Sequence, residues 1–92
     1  MQFSWDPAKA RSNRRKHGVS FEEAATVFIT DSLARIHDDP DHSSDEVREI
    51  IVGFSAAGRL LLVSFTERDD TVRIINARTA DPWERRRHEE SL

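Results

Sequence analysis

The sequence predicts an α+β domain: an antiparallel sheet, two N-terminal helices packed on one of its faces, and a short C-terminal helix. Three observations carry this reading. Two apolar runs rich in β-branched residues, 60–66 (LLLVSFT) and 72–77 (VRIINA), flank the charged turn Glu67-Arg68-Asp69-Asp70 and read as a β-hairpin. Helix-start devices stand at Asp6-Pro7 and Ser20, before the hairpin, and at Asp81-Pro82 after it. The resulting order β, α, α, β, β, β, β, α contains neither an internal repeat nor a linker, and a single antiparallel meander is its most economical arrangement. A chain of 92 residues has room for one core, so residues 1–92 form a single domain.

The elements follow in order. Gln2 to Trp5 is a short strand candidate. Asp6 caps a helix whose first position is Pro7, with φ already fixed for the first turn. This helix carries Lys9, Arg11, Arg14, Arg15 and Lys16 and stops at Gly18, which can take the left-handed conformation. Ser20-Phe21-Glu22-Glu23 has the form of a capping box, in which Glu23 reaches back to the cap amide. Phe21, Ala24, Ala25 and Phe28 then recur at helical spacing, so this second helix faces the core and ends near Thr30. Residues 33–37 (LARIH) alternate as a strand, and an acidic loop over residues 38–45 follows. Residues 46–55 form the next strand, and Ala56-Ala57-Gly58 turns it into the hairpin. The runs LLLV and VRII lack strict alternation, which predicts strands covered on both faces. Residues 83–90 form a short charged helix.

Composition narrows the function classes. Apolar residues make up 37 % and charged residues 34 % of the chain, but two tryptophans and five phenylalanines supply a core. No cysteine is present, which excludes disulfides and thiolate metal sites. No apolar run approaches the roughly 20 residues that span a bilayer, and the N-terminus lacks a signal-peptide pattern, so the expected compartment is the cytoplasm, with no membrane partner. The net charge of −3 hides an asymmetry: residues 1–19 hold five basic residues against one acidic, and residues 20–53 two against nine. A local basic surface of this kind can steer a polyanion, although charge blocks are commonly solvated helix faces.

Chemical motifs are few. Gly18, Gly53 and Gly58 are too scattered to build a phosphate loop, and no cofactor is expected. His37, Asp38, Asp39, Asp41 and His42 cluster in sequence but lack a helical i, i+4 ligand pair, so a solvated loop is expected rather than a metal site. Lys16 and His17 can either cap the first helix or serve an anion and proton transfer. Arg59, Arg68, Arg73 and Arg78 lie in or beside the hairpin strands, where guanidiniums either solvate strand edges or grip phosphate.

The ordered set Trp5-Asp6-Pro7, Lys9-Ala10, Asn13, Lys16 through Ala24 (KHGVSFEEA), Gly58-Arg59, Thr66-Glu67-Arg68 and Arg73-Ile74-Ile75-Asn76-Ala77-Arg78 resembles the BrnT family along nearly the whole chain. The resemblance implies a RelE-like fold and a ribonuclease toxin of a type II toxin–antitoxin module. It also implies an RNA substrate and neutralisation by a BrnA-like ribbon-helix-helix antitoxin, in a heterotetramer built on the antitoxin dimer that meets operator DNA only through the antitoxin. Metal-independent cleavage needs groups that stabilise phosphoryl charge and groups that move protons. For the first task the expected residues are Arg59, Arg68 and Arg78. Arg73 is a weaker candidate because strand parity turns it away from Arg78, and Arg14, Lys16 and Arg73 are expected to bind RNA. For proton transfer the candidates are His88, His17, Glu67 and Glu84, unranked. His88 stands where the family's tyrosine is expected, or else on a solvated, fraying helix end. The alternative function is a non-catalytic protein- or DNA-binding module.

Overall fold

The computed structural model describes residues 1–39 and 47–92. Among them, a five-stranded sheet has the order β1-β5-β4-β3-β2. The strands are β1 (Gln2–Ser4), β2 (Arg35–Asp38), β3 (Glu49–Phe54), β4 (Leu60–Arg68) and β5 (Thr71–Thr79), and the helices are α1 (Pro7–His17), α2 (Phe21–Thr30) and α3 (Pro82–Ser91). The strands β2 to β5 form the expected antiparallel meander, whereas β1 joins β5 in parallel, so the sheet is mixed. The reason is topological. β1 precedes both helices and takes the far edge, where the Gln2 amide donates to the Asp70 carbonyl at 2.8 Å and the N-terminal ammonium meets Asp70 at 3.2 Å. The strands of the hairpin also run further than their apolar content suggested: Glu67 and Arg68 remain in β4, and Asp69-Asp70 alone makes the turn, with Asp69 at φ 56°. Asp tolerates that left-handed conformation better than most residues.

Capping follows the sequence closely. The Asp6 carboxylate accepts from the Ala8 amide at 2.9 Å, Pro7 opens α1, and Gly18 closes it at φ 69°. Ser20 accepts from the Glu23 amide at 3.0 Å, but Glu23 does not complete the capping box. Its carboxylate turns instead to Arg59, a charged donor that outcompetes a backbone amide. The reciprocal box occurs on α3, between Asp81 and Glu84.

Helices α1 and α2 cover the back face of the sheet, where Phe21, Ala24, Val27, Ile51, Leu61, Val63, Phe65, Val72, Ile74 and Ala77 make the core. Phe28 sits at its margin, edge-on to Phe65 at 4.9 Å. On the opposite, front face lie Phe54, Leu60 and Leu62, one end of which α3 covers through His88 and Arg85 against the Phe54 ring. None of the described helices is long and apolar enough to cross a membrane.

Asn13 is the buried polar group of α1, 6 % exposed. Its amide nitrogen donates to the carbonyls of Val19 at 3.0 Å and Ala77 at 2.8 Å, and its oxygen accepts from the Ala77 amide at 3.1 Å. Beyond Arg73, β5 has no strand on its outer side, because β1 reaches only residues 71–73. The Asn13 carboxamide therefore acts as a one-residue strand at that edge and satisfies backbone groups that burial would otherwise strand.

The β3–β4 turn is tied down in the same manner by Arg59 and Ser55. Arg59 Nε donates to Glu23 at 3.0 Å and a second guanidinium nitrogen donates to the Gly18 carbonyl at 3.1 Å, while the Ser55 hydroxyl donates to Glu23 at 2.7 Å. The hydrogen bonds from Arg59, aided by Ser55 and opposed by partial burial, hold the Glu23 carboxyl below its ordinary 4.5. A carboxyl lowered in the folded state contributes stability above its unfolded pKa that is lost as pH falls through the folded one. Stability should accordingly decline as pH drops below 4.5. Glu23→Gln should flatten that decline at a cost within about 1 kcal/mol at neutral pH, and denaturant titrations from neutral to acid conditions check both effects. Gly53 supplies a second test. A Cβ there would stand 2.7 Å from the Ala34 Cβ and 2.9 Å from a Val27 methyl, so β3 needs a bare backbone under α2. Gly53→Ala should cost about 1–3 kcal/mol by overpacking, read as a lowered midpoint in thermal or urea unfolding; an unchanged midpoint would refute the close approach.

Candidate nucleic-acid site on the front face

One irregularity decides which side chains share the front face. In the β4–β5 ladder Ser64 pairs with Asn76 but Phe65 pairs with Ile74, so Ile75 is an extra residue and β5 carries a bulge. A bulge inverts side-chain parity beyond it. Without it, Arg73 and Arg78 would point to opposite faces, as their odd separation predicts. With it, Arg73 lies opposite Thr66, Asn76 opposite Ser64 and Arg78 opposite Leu62, all on the front. Arg68 and Thr71 extend the row to the hairpin end. The expectation that parity turns Arg73 away from Arg78 is thus corrected, and the cause is a single inserted residue.

The row is a polar strip with cations at intervals. Arg68 and Arg73 are exposed and line a groove of about 820 Å³ with Ser4, Val47, Thr66 and Thr71 and with two carboxylates, Glu67 and Asp69. Arg73 reaches the Ser4 hydroxyl at 3.4 Å, which leaves most of its donors available. Arg78 differs. Its two terminal nitrogens donate to the two Glu84 oxygens at 2.7 Å each, a bidentate pair that fixes the start of α3 to β5. The hydrogen bonds that Arg78 donates lower the Glu84 pKa against the opposing effect of burial, and their acceptance by the Glu84 carboxylate raises that of Arg78. Glu84 is consequently a stable anion and a weak proton acceptor.

Beside this strip, between α3 and strands β2 to β4, lies a cavity of about 470 Å³. Its floor is Ile50, Val52 and Leu62, and its rim includes His37, Trp83, Arg87, His88 and Ser91. His88 is only 5 % exposed, edge-on to Phe54 at 6.3 Å between centroids. It does not sit on a solvated, fraying end: Arg35 donates to the Ser91 carbonyl at 2.8 Å and holds the last turn of α3 to β2. The His88 Nε2 is buried and meets no hydrogen-bond partner.

The remaining candidates are elsewhere. Arg59 points to the back face and is engaged by Glu23 and Gly18, so the fold separates it from Arg68, Arg73 and Arg78. Arg14 and Lys16 are exposed on α1, and His17 ends the same helix, behind the sheet. Glu67 pairs with Val72, a back-face residue, yet it also lines the groove that holds Arg68 and Arg73. Of the cluster weighed for metal binding, Asp41 and His42 lie outside the described residues. Three front-face groups are not marked by the sequence as RNA-site residues: His37, which ends the predicted strand 33–37 and stands out only in the metal-ligand cluster, Asn76, whose facing depends on the bulge, and Trp83, whose ring meets the Arg87 guanidinium at 4.9 Å.

Comparison with known proteins agrees with this architecture. The model of the BrnT family, described as the ribonuclease toxin of a type II toxin–antitoxin system, matches residues 5–84. The 1.1 Å crystal structure of the Brucella abortus ribonuclease toxin BrnT superposes with a TM-score of 0.66 at 20 % identity, over 88 % of this chain and 97 % of that one. At that identity the superposition speaks for the fold. No curated protein sequence matches. Since the family match spans both N-terminal helices, strands β2 to β5 and the start of α3, the chain belongs to the BrnT family of ribonuclease toxins of type II toxin–antitoxin systems.

Proposed function

We propose that the chain is a metal-independent endoribonuclease that cuts RNA on its front face, inhibiting translation and arresting growth in the cytoplasm. The observation that carries this reading is the β5 bulge, which puts Arg78 on the same face as Arg73 and Arg68, with the cavity under α3 at the Arg78 end of the row. In the reaction, the ribose 2′-hydroxyl attacks the adjacent phosphorus, its oxygen–phosphorus bond forms as the 5′-oxygen leaves, and the product is a cyclic phosphate. Guanidiniums suit the added equatorial charge because they remain protonated and bind phosphate oxygens in pairs. Arg73 has free donors for this role. Arg78 keeps further donors beyond the two that Glu84 takes, and Glu84 holds its fork in place. Arg68 binds the chain of phosphates further along the strip.

Proton transfer falls to the imidazoles of the front face. His37, exposed on β2, and His88, beneath α3, both line the cavity. His17, behind the sheet, is left to cap α1. Arg14 and Lys16 serve long-range attraction of RNA or an acidic antitoxin segment, and Arg59 positions the β3–β4 turn. The antitoxin is a BrnA-like ribbon-helix-helix dimer that covers the front face in a heterotetramer and alone contacts operator DNA.

Purified protein should cleave RNA in excess EDTA. Arg73→Ala should lower kcat/KM by about 100- to 1,000-fold with stability changed by no more than about 0.5 kcal/mol, since its side chain is exposed. Arg78→Ala should match that loss and add about 1 kcal/mol of instability from the unpaired Glu84, whereas Lys16→Ala should weaken binding only modestly and in a salt-dependent way. Undiminished cleavage by the Arg73→Ala, Arg78→Ala double variant, or cleavage abolished by EDTA, would overturn the reading.

A further inference from the structure

We propose that the cavity between α3 and the β2–β4 strands is a nucleobase subsite: one unstacked base of the RNA enters it and stacks on Trp83. The inference rests on the ribonuclease reading and adds a site for the substrate's base to one for its phosphates.

Three observations converge on a base rather than a phosphate. The floor is apolar, formed by Ile50, Val52 and Leu62, and offers an anion nothing. The rim carries an indole that is 61 % exposed, and an Arg guanidinium already lies against it at 4.9 Å. Aromatic and guanidinium planes of this kind are the usual platforms for unstacked RNA bases. Finally, the cavity adjoins the Arg78 end of the phosphate strip: Glu84 lines it while holding Arg78 at 2.7 Å, so a nucleotide whose phosphate sits at Arg78 has its base directed toward Trp83. A volume of about 470 Å³ accommodates one base and its ribose and falls in the range of ordinary small-ligand sites. Exposed His37 then stands at the rim, on the side of the ribose hydroxyl.

The test titrates the intact protein with the four nucleoside 3′-monophosphates and with ribose 5-phosphate, following the Trp83 indole N–H and the His88 ring by NMR. At least one nucleotide should shift both signals and bind tenfold or more tighter than ribose 5-phosphate. Trp83→Ala should weaken that nucleotide by about tenfold or more and Trp83→Phe by far less, as expected for stacking. In RNA cleavage, Trp83→Ala should raise KM by a similar factor and erase base preference at a fixed position beside the cut. Equal binding of ribose 5-phosphate and nucleotides would overturn the proposal, as would an unaltered KM and cut pattern in Trp83→Ala, or Trp83 signals that respond to an antitoxin segment and to no nucleotide. Nucleotide binding in a protein that cuts no RNA would sustain the subsite and sink the ribonuclease reading alone. Cleavage with no nucleotide response would sink only the subsite.

Discussion

The three hydrogen bonds of the Asn13 carboxamide hold together what the front face needs. A bulged strand at a sheet edge is under-determined, because the inserted residue breaks the ladder and the outer backbone groups have no neighbour. Asn13 supplies that neighbour at Ala77, two residues past the bulged Ile75, and through Val19 binds the same point to the α1–α2 junction. The side chain thereby fixes the register of β5 after the bulge. Asn76 and Arg78 flank Ala77, so their facing is settled from behind the sheet by a residue that touches neither. An aliphatic side chain could fill the volume at position 13 but could not satisfy Ala77, and the unpaired groups would cost about 1–3 kcal/mol each.

Electrostatics divides the arginines by task. Arg59 and Arg78 are each held by a carboxylate that arrives from a helix N-terminal turn, Glu23 of α2 and Glu84 of α3. Both pairs join a helix start to the sheet, one on each face. Their geometries have different consequences. Arg59 is engaged on the back face by Glu23 and the Gly18 carbonyl, which makes it part of the frame. Arg78 is gripped through its terminal nitrogens beside a cavity and on the same face as the exposed Arg73, so the same kind of ion pair fixes a guanidinium on the face proposed to bind RNA. Similar residues in one hairpin therefore separate into structure and site by the direction of the strand pleat.

Much of the architecture was legible because it depends on local rules. Asp6-Pro7, Ser20 and Asp81-Pro82 mark three helix starts, Gly18 marks an end, and the spacing of Phe21, Ala24 and Ala25 gives the buried side of α2. The site was less legible because it depends on register. A single unpaired Ile75 reverses the facing of Asn76 and Arg78, and nothing in the composition of VRIINAR announces it. Asn13 reads as an ordinary polar residue on a basic helix, since its partner lies 64 positions away. Glu23 reads as half of a capping box until Arg59 competes for it. His88 reads as surface because its helix is charged throughout, and it is buried only by virtue of the Phe54 ring beneath it. The parallel docking of β1 follows from the edge left vacant by the meander, a global outcome with no local signature.

The account stands on the claim that the bulge and its Asn13 pin assemble one RNA-binding face, and NMR mapping tests that claim most directly. ¹⁵N-labelled protein would be titrated with a short RNA whose 2′-hydroxyls are replaced by hydrogen, so that it binds without being cut. The account predicts shifts at Arg68, Arg73, Asn76, Arg78 and Trp83, with α1 undisturbed at low ligand excess. Shifts centred on Lys9, Arg14 and Lys16 of α1, with the β5 arginines silent, would contradict it.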